Sequence, residues 1–218
     1  MSLKSFTLSE DLHAYLLAHS TPLDDVLREL AEETRRLLPG DAFMQISPEQ
    51  TLFMTILTRL LGVRQAVEVG TFTGMSSLAI ARGLPEGGRL TCFDISAEYT
   101  SVARRYWARA GVQDKVELRI GPAAERLAEL PREPYLDLAF IDADKVSYPE
   151  YWAQLVPRIK PNGAILVDNT LRNGRVLNPG TAPDDNAIVK FNEQIRADER
   201  VELVILPIGD GLTLARRR

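Results

Sequence analysis

The sequence predicts an α/β fold: a single domain with a seven-stranded, mostly parallel sheet, helices on both faces and an antiparallel last strand. Three observations predict it. From residue 66 onward, short apolar runs alternate with amphipathic segments, the pattern of a parallel sheet buried on both faces. Several of those runs end in Gly or Asp, namely Gly70, Asp94, Asp142 and Asp168. The last two runs, 201–206 and 212–215, are separated only by a short segment containing Gly209-Asp210-Gly211. That is too short for a helical crossover and requires an antiparallel hairpin. The domain spans 1–218, with an N-terminal helical extension over 1–62 and the sheet core over 63–218.

The elements follow in order. Ser9 is an N-cap candidate, and Leu12, Tyr15 and Leu16 repeat at helical spacing. Thr21-Pro22 opens a second helix, with Leu23, Val26, Leu27, Leu30, Thr34, Leu37 and Leu38 on one side, and Pro39-Gly40 ends it. Ser47-Pro48-Glu49 starts a third, carried by Leu52, Phe53, Ile56, Leu57 and Leu60. Strands then read at 66–69, 90–93, 116–120, 136–141 and 164–167. Helices read at 75–82, 97–110, 123–130, 148–159 and, after the 173–185 loop, 187–198. No internal repeat or linker interrupts them.

Composition narrows the function. The 26 basic and 30 acidic residues leave a net charge of −4, which argues against a partner that must be gripped by its phosphates, so no nucleic acid is expected. No apolar run of membrane-spanning length occurs, and the start MSLKSFTLSEDLHAY lacks a leader's apolar core. The single cysteine, Cys92, excludes an internal disulfide and a four-cysteine zinc site and fits a cytoplasmic protein.

Two groups of residues carry chemistry. The first is the turn Glu68-Val69-Gly70-Thr71-Phe72-Thr73-Gly74 between a strand and a helix. Gly70 permits a tight turn, and Gly74 close packing or the close approach of a ligand. The spacing is neither a dinucleotide G-x-G-x-x-G nor a P-loop. Asp94, 24 residues after Gly70 at the end of the second strand, is placed to accept both hydroxyls of a ribose. The bland alternatives are a plain strand-to-helix turn and a helix cap. The second group is Asp142, Asp168 and Asn169, at the ends of the fourth and fifth strands. Two carboxylates and an amide oxygen suit Mg²⁺ or another hard divalent cation; capping of the following helices is the alternative. His13 and His19 lie far from this cluster in sequence, which disfavours zinc. Lys145, three residues beyond Asp142, is a candidate general base beside a cation, or else a surface lysine.

QISPEQ, VEVGTFTGMSSLAIA, FDIS, GPA at 121–123, FIDADK, VDNTLRNG and LPIGDGLTLARR together resemble the divalent-metal- and S-adenosylmethionine-dependent O-methyltransferases of the caffeoyl-CoA and catechol type. The resemblance covers nearly the whole chain; FIDADK with VDNTLRNG is its specific part. It implies a Rossmann-like class I methyltransferase fold. It implies that Glu68, Gly70, Thr71 and Ser76 line the cofactor's methionine and ribose region, that Asp94 holds the ribose, that Ala123 lies beside the adenine and that Asp144 contacts the amino-acid part. It implies a metal on Asp142, Asp168 and Asn169, Lys145 as base and Asn173 near an aromatic acceptor. In this chain Ile46 stands where plant-type relatives carry a threonine oxygen near the metal. Arg172 stands where the family often has a tryptophan, exchanging an aromatic wall for a cation that suits a carboxylated acceptor.

The expected reaction is methyl transfer to one hydroxyl of a vicinal diphenol, with S-adenosylmethionine and a divalent metal as cofactors. A non-catechol hydroxyl or an amine is a variant of it. The alternatives are an NAD(P)-dependent oxidoreductase and a nucleoside-binding protein of the same fold without turnover. A homodimer is expected through the opening amphipathic helices.

Overall fold

The computed structural model describes residues 8–218; residues 1–7, part of the segment read above for a leader, lie outside the described residues. Three helices come first: α1 (Glu10–Ala18), α2 (Asp25–Leu37) and α3 (Pro48–Leu60). Strands and helices then alternate as β1 (Gln65–Val69), α4 (Met75–Gly83), β2 (Arg89–Asp94), α5 (Ala97–Arg109), β3 (Val116–Ile120), α6 (Ala123–Ala128), β4 (Leu136–Ile141), α7 (Tyr148–Leu155), β5 (Ile159–Val167), α8 (Pro183–Arg196), β6 (Val201–Leu206) and β7 (Leu212–Arg217). Among the described residues no helix is long and apolar enough to cross a membrane.

The seven strands form one sheet in the order β3-β2-β1-β4-β5-β7-β6. The first five pair in parallel, and β7 runs antiparallel to both β5 and β6. Strand alternation divides the apolar residues between two cores. Ala66, Leu90, Leu138, Phe140 and Leu166 face α2 to α5, against Leu30, Met54, Leu78 and Trp107. Val67, Val69, Ala139, Ile141, Ile165 and Ala215 face α6 to α8, against Leu127, Trp152, Ile188 and Phe191. Both faces being covered explains why the central strands read as near-continuous apolar runs. The strand order also makes β1 and β4 neighbours. Their chain-order partners leave in opposite directions, so a crevice opens at their carboxyl ends, where such sheets hold ligands.

Several ends are set locally. Ser9 Oγ accepts from Leu12 N, Ser47 Oγ from Gln50 N and Ser96 Oγ from Tyr99 N, each an N-cap. The second helix begins at Asp25 rather than at Thr21-Pro22, because Asp24 takes the cap and accepts from Leu27 N at 3.0 Å. β5 starts at Ile159, five residues before the expected start at 164, and runs through Pro161-Asn162-Gly163. There Asn162 adopts φ +67° and the register against β4 shifts between Leu136 and Leu138. An irregularity of this kind holds turn-type residues inside a strand. No residue of α1 is buried, and Tyr15 is 60% exposed.

Candidate active site

The loops at the carboxyl ends of β1 to β5 close around one cavity of about 1020 Å³, together with the segment before α3 and the β6–β7 turn. That lies at the top of the range for single-ligand sites and leaves room for a cofactor and an acceptor side by side. Gly70, Thr71, Ser76, Asp94, Ala123, Asp142, Asp144, Lys145, Asp168, Asn169, Arg172, Asn173 and Ile46 all line it. Of the residues singled out from sequence, Glu68 and Gly74 do not, and Glu68 is fully buried.

The β1–β2 side is built on backbone. Gly70 has φ +89°, and a Cβ there would stand 1.9 Å from the Asp142 carbonyl oxygen, so only glycine lets β1 leave the sheet so close to the β4 loop. Gly74 also has positive φ, and a Cβ there would meet the Ala103 Cβ at 2.6 Å. Its role is therefore packing of the turn on α5. Asp94 Oδ2 accepts from Thr71 N at 2.9 Å and Phe72 N at 2.8 Å, and Oδ1 from Ser96 N at 2.7 Å. It does not cap α5, since Ser96 does; it clamps the glycine turn to the end of β2. Ala123 opens α6 and is nearly buried. Glu68 sits on the α2–α5 face, paired in register with Cys92 and Phe140. It is fully buried, and neither carboxylate oxygen has a hydrogen-bond partner. Burial pushes its carboxyl up to about 7.

The β4–β5 side is built on charged side chains. Lys145 Nζ donates to Asp142 Oδ1 at 3.0 Å and to Tyr148 Oη at 2.8 Å. Tyr148 is fully buried and donates to the Asp168 carbonyl at 3.3 Å. Asp168 Oδ2 accepts from Gln50 Nε2 at 2.8 Å and Oδ1 from Asn169 N at 2.6 Å. Burial, and then the nearby charge of Asp142, raises the Asp168 carboxyl to about 7. Asp144 is a cap: Oδ2 accepts from Ser147 N at 3.2 Å, and Oδ1 from the Tyr151 hydroxyl at 2.6 Å. Asn169, Arg172 and Asn173 all have positive φ, and the Asp210 carboxylate accepts from Asn173 N. Among the described residues no three of His, Cys, Asp and Glu gather as a ligand set. Asp142, Asp168 and Asn169 line the same cavity.

Several contributors carry no sequence signal of their own. Tyr148 and Gln50 hold Lys145 and Asp168. The Tyr99 hydroxyl donates to Asp41 at 2.9 Å, beside an edge-on contact of Tyr99 with Phe72 at 5.0 Å, and so ties the segment before α3 to the β2 loop. Gln45 Nε2 donates to Thr34 and Thr73, both at 2.9 Å.

This fold and cavity match a known class of enzyme. A family model described as O-methyltransferase matches residues 17–218. A probable caffeoyl-CoA O-methyltransferase of Dictyostelium discoideum is 38% identical over 205 residues, covering 92% of this chain and 88% of its own length. The O-methyltransferase from Bacillus cereus, solved in complex with SAH, superposes with a TM-score of 0.85 at 31% identity, over 95% of this chain and 97% of that one. TomG of Streptomyces achromogenes, an O-methyltransferase involved in tomaymycin synthesis and solved in complex with SAM, gives a TM-score of 0.86 at 28% identity, over 95% and 96%. The chain belongs to the S-adenosylmethionine-dependent O-methyltransferase family of the caffeoyl-CoA type.

Proposed function

We propose that the protein transfers the methyl group of S-adenosylmethionine to one hydroxyl of a vicinal diphenol, assisted by Mg²⁺ or another divalent cation. The observation that carries this reading is the facing of two unlike walls across one cavity: the clamped glycine turn with Asp94, and the pair Asp142 and Asp168 with Lys145.

The residues present fit both groups. Glu68, buried with two unpartnered oxygens, is costly unless a cation lies near or the carboxyl is protonated. The cofactor's ammonium end supplies such a charge, and Thr71, Ser76 and Asp144 are at hand for its amino-acid part. Asp94 Oδ1 has acceptor capacity left for a ribose hydroxyl beyond its bond to Ser96 N. Ala123 borders the adenine. Burial and the nearby charge of Asp142 raise the cost of ionising Asp168, and a divalent ion would remove that cost. With the Asn169 oxygen they would hold it, leaving positions for two acceptor oxygens. Bound there, the ion lowers the pKa of a coordinated hydroxyl and fixes its direction.

The neutral amine form of Lys145, its own proton first released to solvent, takes the hydroxyl proton on Nζ, held in place by Asp142 and Tyr148. The phenolate oxygen bonds to the methyl carbon as the carbon–sulfur bond breaks, with S-adenosylhomocysteine as the leaving product. Positive charge on sulfur and negative charge on oxygen vanish together, so a cavity that excludes water favours the step. Ile46, Asn173 and Arg172 wall the acceptor, and Ile46 presents a buried side chain there rather than an oxygen ligand.

A homodimer forms through the opening helices in this reading. Leu12, Tyr15 and Leu16 on α1 and Ile56 and Leu60 on α3 are exposed apolar residues that support it. Light scattering after size exclusion tests it; a mass of 24.3 kDa rejects it.

Calorimetric titration with S-adenosylmethionine, followed by turnover on a panel of catechols with Mg²⁺ and with chelator, tests the function. Binding and Mg²⁺-dependent methylation are expected. Turnover unaffected by chelator removes the metal, binding without turnover favours the non-catalytic reading, and no binding overturns the proposal.

A further inference from the structure

Two arginines stand at the acceptor end of the cavity, and they share one counter-ion. Arg172 Nε donates to Asp185 Oδ1 at 2.7 Å, and Arg175 Nε to Asp185 Oδ2 at 2.8 Å. Asp185 lies in the first turn of α8 and is 3% exposed. Its carboxyl is held below the usual range by the two guanidiniums. One buried negative charge therefore faces two positive ones, and both its oxygens are engaged.

The other charged groups nearby do not complete the balance. Asp184 is mostly exposed, and its carboxylate is 4.0 Å from Arg172 Nη2, beyond hydrogen-bond reach. Asp210 is engaged by the Asn173 backbone. Lys145, the remaining cation lining the cavity, is already committed to Asp142 and Tyr148. Among the described residues the terminal nitrogens of Arg172 and Arg175 make no hydrogen bond. Both arginines line the cavity, three residues apart on the segment that follows Asn169. Asp185 occupies the Nε side of each fork and leaves the outer N–H groups to a ligand.

We infer that this pair reads an anionic substituent of the acceptor, a carboxylate on the aromatic ring or its short side chain, and so restricts the acceptors to acidic phenols. The inference rests on the proposed methyl-transfer reading for where the acceptor lies. Guanidinium forks match a carboxylate in two parallel charge-assisted hydrogen bonds. The side chain of Arg172 is 18% exposed, so part of its hydration is already lost and an anion gains more there than at an open surface. Arg172 alone, in place of an aromatic wall, only exchanges stacking for charge. Arg175 and the buried Asp185 turn that exchange into a positioned fork.

The test is calorimetric binding of matched pairs, 3,4-dihydroxybenzoate and 3,4-dihydroxycinnamate against their methyl esters, with S-adenosylhomocysteine and Mg²⁺ present. The acids should bind at least about tenfold tighter than the esters, and added salt should weaken the acids more than the esters. Arg175→Gln and Arg172→Gln should each bring the acid-to-ester ratio toward one, and Arg175→Lys should keep part of it. Equal binding of acid and ester to the wild type, or a ratio unchanged in Arg175→Gln, overturns the assignment. A coenzyme A thioester of the cinnamate that binds above the free acid, with an advantage lost in Arg175→Gln, assigns the pair to phosphate and overturns the carboxylate. Turnover on the same acceptors separates the two readings. Acid-selective binding with no methylation overturns the catechol reaction and leaves the arginine assignment standing. Failure of all acceptors to bind overturns both.

Discussion

The two sides of the cavity reach their geometry by opposite means. On the β1–β2 side, Asp94 is satisfied by three backbone N–H groups and the glycine turn is wedged between β4 and α5. The backbone of this turn is set without a ligand. On the β4–β5 side, Asp142 and Asp168 are near neighbours of like charge, and Asp168 is kept partly protonated near neutral pH. This side is held by Lys145, Tyr148 and Gln50 and remains short of positive charge. A turn set by backbone contacts thus faces a wall of two close carboxylates, and the same substitution type has opposite costs on the two sides.

The largest expected effect separates function from stability. Asp168→Asn removes a proposed metal ligand and should lower turnover by roughly 10²–10³-fold. The melting temperature should hold or rise, because a buried repulsion with Asp142 is relieved; a drop of many degrees would mean that Asp168 is a structural acid. On the other side, Asp94→Ala strands three backbone donors and should cost about 1–3 kcal/mol in a denaturant titration, along with cofactor affinity. Unchanged stability there would erase the contrast between the walls.

A smaller effect is expected at Tyr148, which touches Lys145 and not the reacting atoms. Tyr148→Phe should reduce kcat about tenfold, with little change in the KM for S-adenosylmethionine. A KM effect in place of a kcat effect would place its role in packing.

The smallest concerns pH. Glu68 has a folded carboxyl near 7 against an ordinary 4.5. The folded state therefore binds more protons across that window, and the ligand-free protein loses stability as pH rises from about 4.5 through 7. Asp168 acts in the same sense, whereas the depressed carboxyls of Asp137, Asp185 and Asp198 titrate below this window. Glu68→Gln should flatten the fall in melting temperature between pH 5 and 7.5. A melting temperature that rises with pH across that range would contradict the burial of an unpaired Glu68.

Most of the fold was legible because its signals are local. The apolar runs at 66–69 and 136–141 and the short closing hairpin are patterns within a few residues, and they fix a parallel sheet with a reversed end. β5 escaped in part because Pro161-Asn162-Gly163 carries turn chemistry, and only pairing with β4 keeps it in the sheet. The cavity lining was legible for a related reason: strand-end residues of a parallel sheet converge on one edge whatever the details. Their supports were not. Gln50 meets Asp168 across 118 positions, and Arg175 meets Asp185 only after the 173–185 loop folds back. Nothing in the sequence marks either pairing. Gly74 had two readings, ligand approach and packing, and Ala103 decides for packing.

The placement of β7 between β5 and β6 bears on how the protein is made. On a ribosome β6 emerges before the strand it pairs with, and β5 stays an open edge until β7 slots in beside it. That late strand also brings Gly211, whose carbonyl accepts from Thr170 N at 2.9 Å, next to Asp168 and Asn169. A nascent chain therefore exposes a sticky apolar edge until β7 is out. Through the same interval the loop that carries Asp168 and Asn169 lacks its Gly211 anchor at Thr170, so this side of the cavity takes shape only once β7 is in place, together with protection from aggregation.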